Sequence, residues 1–322
     1  MPLVDMPLEK LREYQGRNPR PDDFDEFWER ALDEMRSVDP QVELIPADNE
    51  MTCPYADCFH LYFTGVRGAR IHAKFIRPKN ARPGAHPAVV QFHGYSGNAG
   101  DWVEKLPYAA AGFCVATMDC RGQGGLSQDT GGIMGPTLRG HIIRGLCDGQ
   151  DNLLFRHIFL DAAQLAGIIM DMDEVDATRV GAMGGSQGGG LTLACTALEP
   201  RINRAAPMFP FLCDYLRVWE MDLAKDAYLE MNEFFKRFDP RHERHNYWFV
   251  TLGYIDNQHL APRIRSRVLM ATGLMDTVCP PSTQFAAYNK ITSEKDMVLY
   301  PDFGHEALPA WYDQVFQYML GM

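Results

Sequence analysis

An α/β fold, with a mostly parallel twisted sheet and helices on both faces, is the class this sequence predicts. Three observations carry it. From Ala88 onward, strand-like and helix-like segments alternate, and parallel strands need helical crossovers that cover both faces of the sheet. Gly184-Gly185-Ser186-Gln187-Gly188 stands between a short strand-like run and a small, apolar helix start. An aspartate and then a histidine follow in loops after two later strand-like runs.

Taken in order, Asp22 to Val38 reads as a helix, because Phe24, Phe27, Trp28, Ala31 and Met35 share one face at helical spacing. That aromatic stripe reads as core. Cys58 to Phe63 and Arg70 to Arg77 read as an antiparallel pair, joined by Thr64 to Ala69. A polar, Pro-rich turn leads to a strand over Pro87 to Phe92, a helix around Trp102 to Ala111 and a strand over Phe113 to Met118. Asn152 to Met172 reads as a long helix ahead of the strand Arg179 to Met183. Phe209 to Tyr254 is rich in aromatics and charges and breaks the strand rhythm, so it reads as a helical insertion over the site. Strands over Arg267 to Thr272 and Asp296 to Tyr300 flank a helix over Pro281 to Ile291, with Ser282 a plausible cap. The organisation expected is one domain over 1–322, with an N-terminal extension over 1–50 and the insertion at about 209–254.

A serine on a sharp strand-to-helix turn is the nucleophile elbow of α/β-hydrolases. Flanking glycines let the backbone fold tightly, and the helix N-terminus offers free N–H groups to an oxyanion. In that fold the order is serine, acid, histidine. Here Ser186 is followed by Asp276, in the loop Gly273-Leu274-Met275-Asp276, and by His305, in Phe303-Gly304-His305-Glu306. The interval 305 − 276 = 29 leaves room for one helix and one strand.

Each residue also has an ordinary structural reading. The pentapeptide alone could be a glycine-rich turn. Asp276 could cap the following helix, and His305 could be a turn histidine with satisfied partners. Asp302 is a rival acid, but it lies close to His305 in sequence. His93 is a rival histidine; its place after an early strand favours shaping the loop that carries an oxyanion donor. His242 and His245 flank Glu243 at a spacing two metal ligands could use on one helix. No third ligand follows at a persuasive spacing, so a solvated helix face is the preferred reading.

Composition fits an ordinary globular enzyme: 322 residues, 46% hydrophobic and 23% charged. A formal net charge of −11 argues against nucleic acid or anionic membrane as partner. No apolar run approaches the roughly 20 residues of a membrane helix. Met1-Pro2-Leu3-Val4-Asp5 has neither a basic nor an apolar leader region, so it does not read as a signal peptide. The 8 cysteines are scattered, without a C-x-x-C pair, and reduced thiols in the cytoplasm are the simplest expectation.

Several segments together resemble the acetyl xylan esterase/cephalosporin-C deacetylase family, carbohydrate esterase family seven. They are Phe24-Asp25-Glu26-Phe27-Trp28, His93 to Gly97, Arg121-Gly122-Gln123-Gly124, Gly184 to Gly189, Pro210 to Asp214, Thr251 to Asp256, Gly273 to Thr283 and Gly304-His305-Glu306. R-G-Q-G, then G-x-S-Q-G-G, then a late H-E is far more specific than any one pentapeptide. Gly125-Leu126-Ser127 departs slightly, since serines are more usual after R-G-Q-G. The resemblance implies deacetylation of small acetylated sugars such as xylo-oligosaccharides, and of cephalosporin C. It also implies a cytoplasmic homohexamer; the chemistry of a serine nucleophile with histidine and aspartate itself requires no metal or organic cofactor.

The residues themselves point to acyl-ester hydrolysis. Ser186 would attack the carbonyl, His305 would take its proton, and Asp276 would fix the imidazole tautomer. One oxyanion donor would be the backbone N–H of Gln187; the resemblance places the second at the N–H of Tyr95, a residue it also sets against substrate. A peptidase of this fold usually carries a large extra domain, and a dienelactone-type hydrolase would prefer cysteine at the elbow. A binding protein without activity would have lost a member of the triad. A broader short-chain carboxylesterase on non-sugar esters is the alternative enzyme.

Overall fold

The computed structural model describes residues 4–130 and 137–322. Met1, Pro2 and Leu3 of the N-terminal segment that does not read as a signal peptide lie outside them. Nine strands form one sheet, in the order β1-β2-β3-β5-β4-β6-β7-β8-β9. These are β1 (Glu43–Pro46), β2 (Ala56–Thr64), β3 (Arg70–Pro78), β4 (His86–Phe92), β5 (Cys114–Met118), β6 (Val175–Gly185), β7 (Arg204–Met208), β8 (Arg267–Gly273) and β9 (Lys295–Tyr300). The pairs from β1 through β3 to β5 are antiparallel; every pair from β5 and β4 to β9 is parallel. In such a sheet ligands bind beyond the carboxyl ends of the strands.

The helices are α1 (Leu8–Glu13), α2 (Phe24–Arg36), α3 (Leu106–Ala110), α4 (Leu154–Met170), α5 (Gln187–Leu198), α6 (Tyr215–Glu220), α7 (Leu229–Phe238), α8 (His245–Gly253), α9 (Asn257–Leu260), α10 (Pro281–Tyr288) and α11 (Trp311–Leu320). The stripe on α2 is core: Phe24, Phe27, Trp28 and Ala31 are buried, and Trp28 lies 6.0 Å from Phe159 of α4, ring to ring. The helix expected near Trp102 is a 3₁₀ turn followed by the short α3. Two strands were not anticipated. β1 falls inside the stretch read as an extension, and β7 is the five-residue run Arg-Ala-Ala-Pro-Met. Ser282 is not a cap: Pro280 holds that position, and Ser282 is buried inside α10.

The segment 209–254 does form helices α6 to α8. It is fastened to the N-terminal region by carboxylates. Asp214 accepts the Tyr14 hydroxyl at 2.7 Å and the Asn18 N–H at 2.8 Å. Asp5 accepts Arg217 at 2.8 Å and the Ser282 N–H at 2.7 Å, so it bridges α6 and α10. Asp256 accepts the N–H groups of Asp214 and Gln258. His242 and His245 do not share a helix. Asp239 accepts the N–H groups of Glu243 and Arg244, and the turn this makes puts His242 ahead of α8 with φ 56°. Both rings pack on Trp219 at 5.4 Å.

Among the described residues no helix is long and apolar enough to cross a membrane. All eight cysteines are free thiols, and only Cys147 is exposed.

Candidate active site

Strand β6 ends at Gly185 and α5 begins at Gln187, so Ser186 is the single residue of the turn. Its backbone sits at φ 58°, ψ −120°, a conformation most side chains avoid. Surrounding bonds hold it there. The Ser186 N–H donates to Met208 O at 3.0 Å, and Ser186 O accepts Phe211 N–H at 3.0 Å and Gly190 N–H at 3.0 Å. Glycine is needed around the turn because backbones meet. A Cβ on Gly184 would lie 2.6 Å from Gly188 O and 2.7 Å from Phe92 O; one on Gly188 would collide with Phe92 O.

The three residues dispersed along the sequence converge on this turn. His305 Nε2 lies 3.0 Å from Ser186 Oγ, and His305 Nδ1 lies 2.8 Å from Asp276 Oδ2. Asp276 is fully buried; its other oxygen accepts the N–H groups of Val278 and Cys279, both at 2.8 Å. A carboxylate held this way presents only an acceptor to His305. The hydrogen therefore sits on Nδ1, and Nε2 faces the serine as a base. The histidine loop has its own brace, since Glu306 accepts the Gly304 N–H at 3.0 Å. Asp302 is exposed on the same loop, whereas the carboxylate touching His305 is that of Asp276. The buried Cys279 thiol sits beside Asp276 and Ser186, and burial raises its pKa well above the ordinary thiol range. Asp276, Cys279 and His305 offer atoms within 4.8 Å of one another, a distance a metal ion could span. Here Asp276 and His305 direct those atoms at each other instead.

The loop after β4 lies against the start of α5. His93 shapes it: Nδ1–H donates to Gly94 O at 2.7 Å and Nε2 accepts the Cys120 N–H at 3.0 Å. Burial lowers the His93 pKa, so the neutral ring these contacts require is the favoured form. Among the described residues, neither the Tyr95 N–H nor the Gln187 N–H donates to a protein acceptor, as expected of Gln187 in the first turn of a helix. The Tyr95 hydroxyl is engaged away from the serine, by the carboxylate of Glu230 on α7.

The part played by the R-G-Q-G segment was not readable from sequence. Gln123 and Gln187 are both fully buried and exchange amide hydrogen bonds at 2.9 and 3.0 Å. Gln123 Oε1 also accepts the Ser96 N–H at 2.9 Å, which ties the loop of Tyr95 to α5. Arg121 pairs with Asp161 of α4 through two contacts of 2.6 and 2.7 Å, both side chains wholly buried. Gly124 donates to Gly97 O at 3.0 Å, and a Cβ there would lie 2.7 Å from Ser96 O. A glutamine between glycines before an elbow glutamine was the available signal.

The aromatic residues of the insertion divide into two groups. Trp219, Phe234 and Phe235 pack with Trp248 and Phe249, forming the insertion's own core. Tyr228 packs on Phe211, ring to ring at 4.2 Å, and the Phe211 N–H donates to Ser186 O. The ring nearest His305 is Phe209, at 4.3 Å.

Similarity to known proteins identifies the family. The acetyl xylan esterase (AXE1) family profile matches residues 1–322. Acetyl xylan esterase 1 from Thermoanaerobacterium sp. JW/SL YS485 superposes with a TM-score of 0.95 at 62% identity, over 99% of each chain. An acetyl xylan esterase from Paenibacillus sp. R4 superposes at 0.92 with 35% identity, over 98% of this chain and 99% of that one. Acetyl esterase Axe7A of Xylanibacter ruminicola is 30% identical over 290 residues, 87% of this chain; the match spans only 62% of that longer relative. The chain belongs to the acetyl xylan esterase family and is a carboxylic ester hydrolase.

Proposed function

We propose that the protein removes acetyl groups from small acetylated carbohydrates such as xylo-oligosaccharides, and from cephalosporin C, through an acetyl-enzyme intermediate. The observation that carries this reading is the hydrogen-bonded chain from Asp276 through His305 to a serine on a strained elbow. Family membership and the names of the relatives support the acetyl ester as substrate.

Ser186 Oγ attacks the acetyl carbonyl while His305 Nε2 takes its proton. Asp276 stabilises the imidazolium that forms. The tetrahedral oxyanion accepts from the N–H groups of Gln187 and Tyr95, whose hydrogens are not otherwise spent. His305 then protonates the leaving alcohol. Water, deprotonated by the same nitrogen, attacks the acetyl-enzyme and releases acetate. Every proton moves through His305, so the scheme needs no cofactor. The resemblance also extends the reading to a cytoplasmic homohexamer, for which sedimentation is the test.

Phe209, ring to ring 4.3 Å from His305, stands beside the serine. Each added acyl methylene must displace packed rings, and overpacking costs about 1–3 kcal/mol. Butyryl esters should therefore fall about ten- to a hundredfold below acetyl in kcat/KM. The decisive experiment is steady-state kinetics on acetylated xylo-oligosaccharides, cephalosporin C and a chain-length series of p-nitrophenyl esters. Comparable kcat/KM for acetyl, butyryl and octanoyl esters would replace this reading with a general carboxylesterase.

A further inference from the structure

Glu230 lies on α7, in the insertion, and is 3% exposed. None of its bonds serves α7. One oxygen takes the Tyr95 hydroxyl; the other takes the Ile142 and Ile143 N–H groups at 2.9 and 3.1 Å. A single carboxylate thus joins three segments far apart in sequence: the loop after β4, the loop at 140–143 and the insertion. Tyr95 is further enclosed by the rings of His141 at 4.8 Å and Phe211 at 5.6 Å. Gln123 holds the same loop from the other side, through the Ser96 N–H.

We propose that Glu230 is a positioning residue for ester hydrolysis, holding the Tyr95 side chain so that the Tyr95 backbone N–H faces the oxyanion. The inference rests on the reading of that N–H as an oxyanion donor. The Ile142 and Ile143 N–H groups are fixed donors, and the Tyr95 hydroxyl, which itself accepts the His141 N–H at 3.4 Å, has its own hydrogen to give; an ionised carboxylate, acceptor-only, takes all three hydrogens. A protonated carboxyl turns its O–H toward the Tyr95 oxygen, leaves the tyrosine hydrogen without this acceptor and weakens the tie on the loop. An amide does the same through its NH₂ group.

The charged and titratable groups facing Glu230 are Tyr95, Tyr215 and the Arg144 guanidinium, and the His141 ring packs on Tyr95. Burial raises its pKa to about 7, against the donors and Arg144, which favour the anion. His141 does not supply a compensating charge, because burial lowers its pKa to about 4. The organising form of Glu230 is therefore present above about pH 7 and lost as pH falls through it. Activity should carry an acid limb from Glu230.

Glu230→Gln and Tyr95→Phe test this on the full-length protein, with p-nitrophenyl acetate as substrate. Removing an oxyanion donor outright costs about 10²–10³ in kcat; a donor displaced on a loosened loop should cost about ten- to a hundredfold, with KM changed less than about threefold. Glu230→Gln should also lose the acid limb near pH 7. The double variant should be no worse than about threefold below the weaker single, since both changes break the Tyr95–Glu230 bond, although Tyr95→Phe also removes the acceptor of the His141 N–H. A merely structural role would lower the melting temperature and leave kcat and the pH profile in place. Folded Glu230→Gln with kcat within about twofold of the parent, and an unchanged profile, overturns the inference. If Glu230→Gln does not fold, Tyr95→Phe decides by the same kcat criterion, because its ring packing is retained. Ser186→Ala, assayed in parallel, reports on the esterase reading separately. Its inactivity beside a normal Glu230→Gln overturns only the positioning role; activity in Ser186→Ala overturns both.

Discussion

Replacing Asp276 by asparagine should lower kcat by about 10⁴ without disturbing the fold. The reason is the set of partners around the carboxylate. Oδ1 accepts two backbone N–H groups, from Val278 and Cys279, each at 2.8 Å. An asparagine amide must put its oxygen there, since its NH₂ would face two donors. The NH₂ is then forced onto the side of His305, 2.8 Å from Nδ1. Nδ1 must become the acceptor, so the hydrogen moves to Nε2. Nε2 lies 3.0 Å from Ser186 Oγ and can no longer take its proton. At about 1.4 kcal/mol per decade, the loss is about 5.5 kcal/mol of transition-state stabilisation. KM should change little, because no substrate contact is removed. The assay is p-nitrophenyl acetate hydrolysis with Asp302→Asn as control, which should leave kcat nearly intact. An Asp276→Asn protein that keeps more than a tenth of the parental kcat, or a larger loss from Asp302→Asn, would refute the tautomer argument.

Three further perturbations have defined outcomes. Ser186→Ala should reduce kcat by about 10⁶ while the melting curve stays near the parent's; a folded variant above a tenth of parental kcat would remove Ser186 from the mechanism. Gly188→Ala drives a Cβ into the Phe92 carbonyl, so it should destabilise by about 1–3 kcal/mol by denaturant titration and lower kcat; parental values for both would mean that the elbow yields freely. Arg121→Met leaves Asp161 buried without its partner and should cost about 3–5 kcal/mol, read by the same titration; a change under about 1 kcal/mol would contradict the buried pairing.

The elbow, Asp276 and His305 were legible because each occupies a loop at the end of a strand whose apolar run is visible in the sequence. The alternation from β4 to β9 gave the parallel sheet for the same reason. β1 was not legible: all four of its residues are exposed, so it has no buried phase to read. β7 has small side chains and a proline, which weaken the strand signature. His242 and His245 were misread because the turn between them is made by Asp239, a contact no periodicity encodes. Glu230 left one trace. It falls on the apolar phase of α7, one turn before Phe234, and Met231, Phe234 and Phe235 are buried with it. Its partners lie 135 and 88 residues away, and only the fold brings them together.

The carboxylate ties between the N-terminal segment and the later half of the chain bear on the order of assembly. Asp5 binds residues 212 and 277 positions further on, and Tyr14 a residue 200 further on. During synthesis at about 5–20 residues per second, the N-terminal segment waits roughly 14–55 s for Ser282 to appear. For most of that interval Leu11 of α1 lacks Leu274 and Phe285, which cover it in the folded protein. Contacts of such sequence separation slow folding. The nascent chain is therefore most exposed to aggregation just before its last third leaves the ribosome, and a destabilising change in α6 or α10 should reduce soluble yield before it reduces the activity of the protein that does fold.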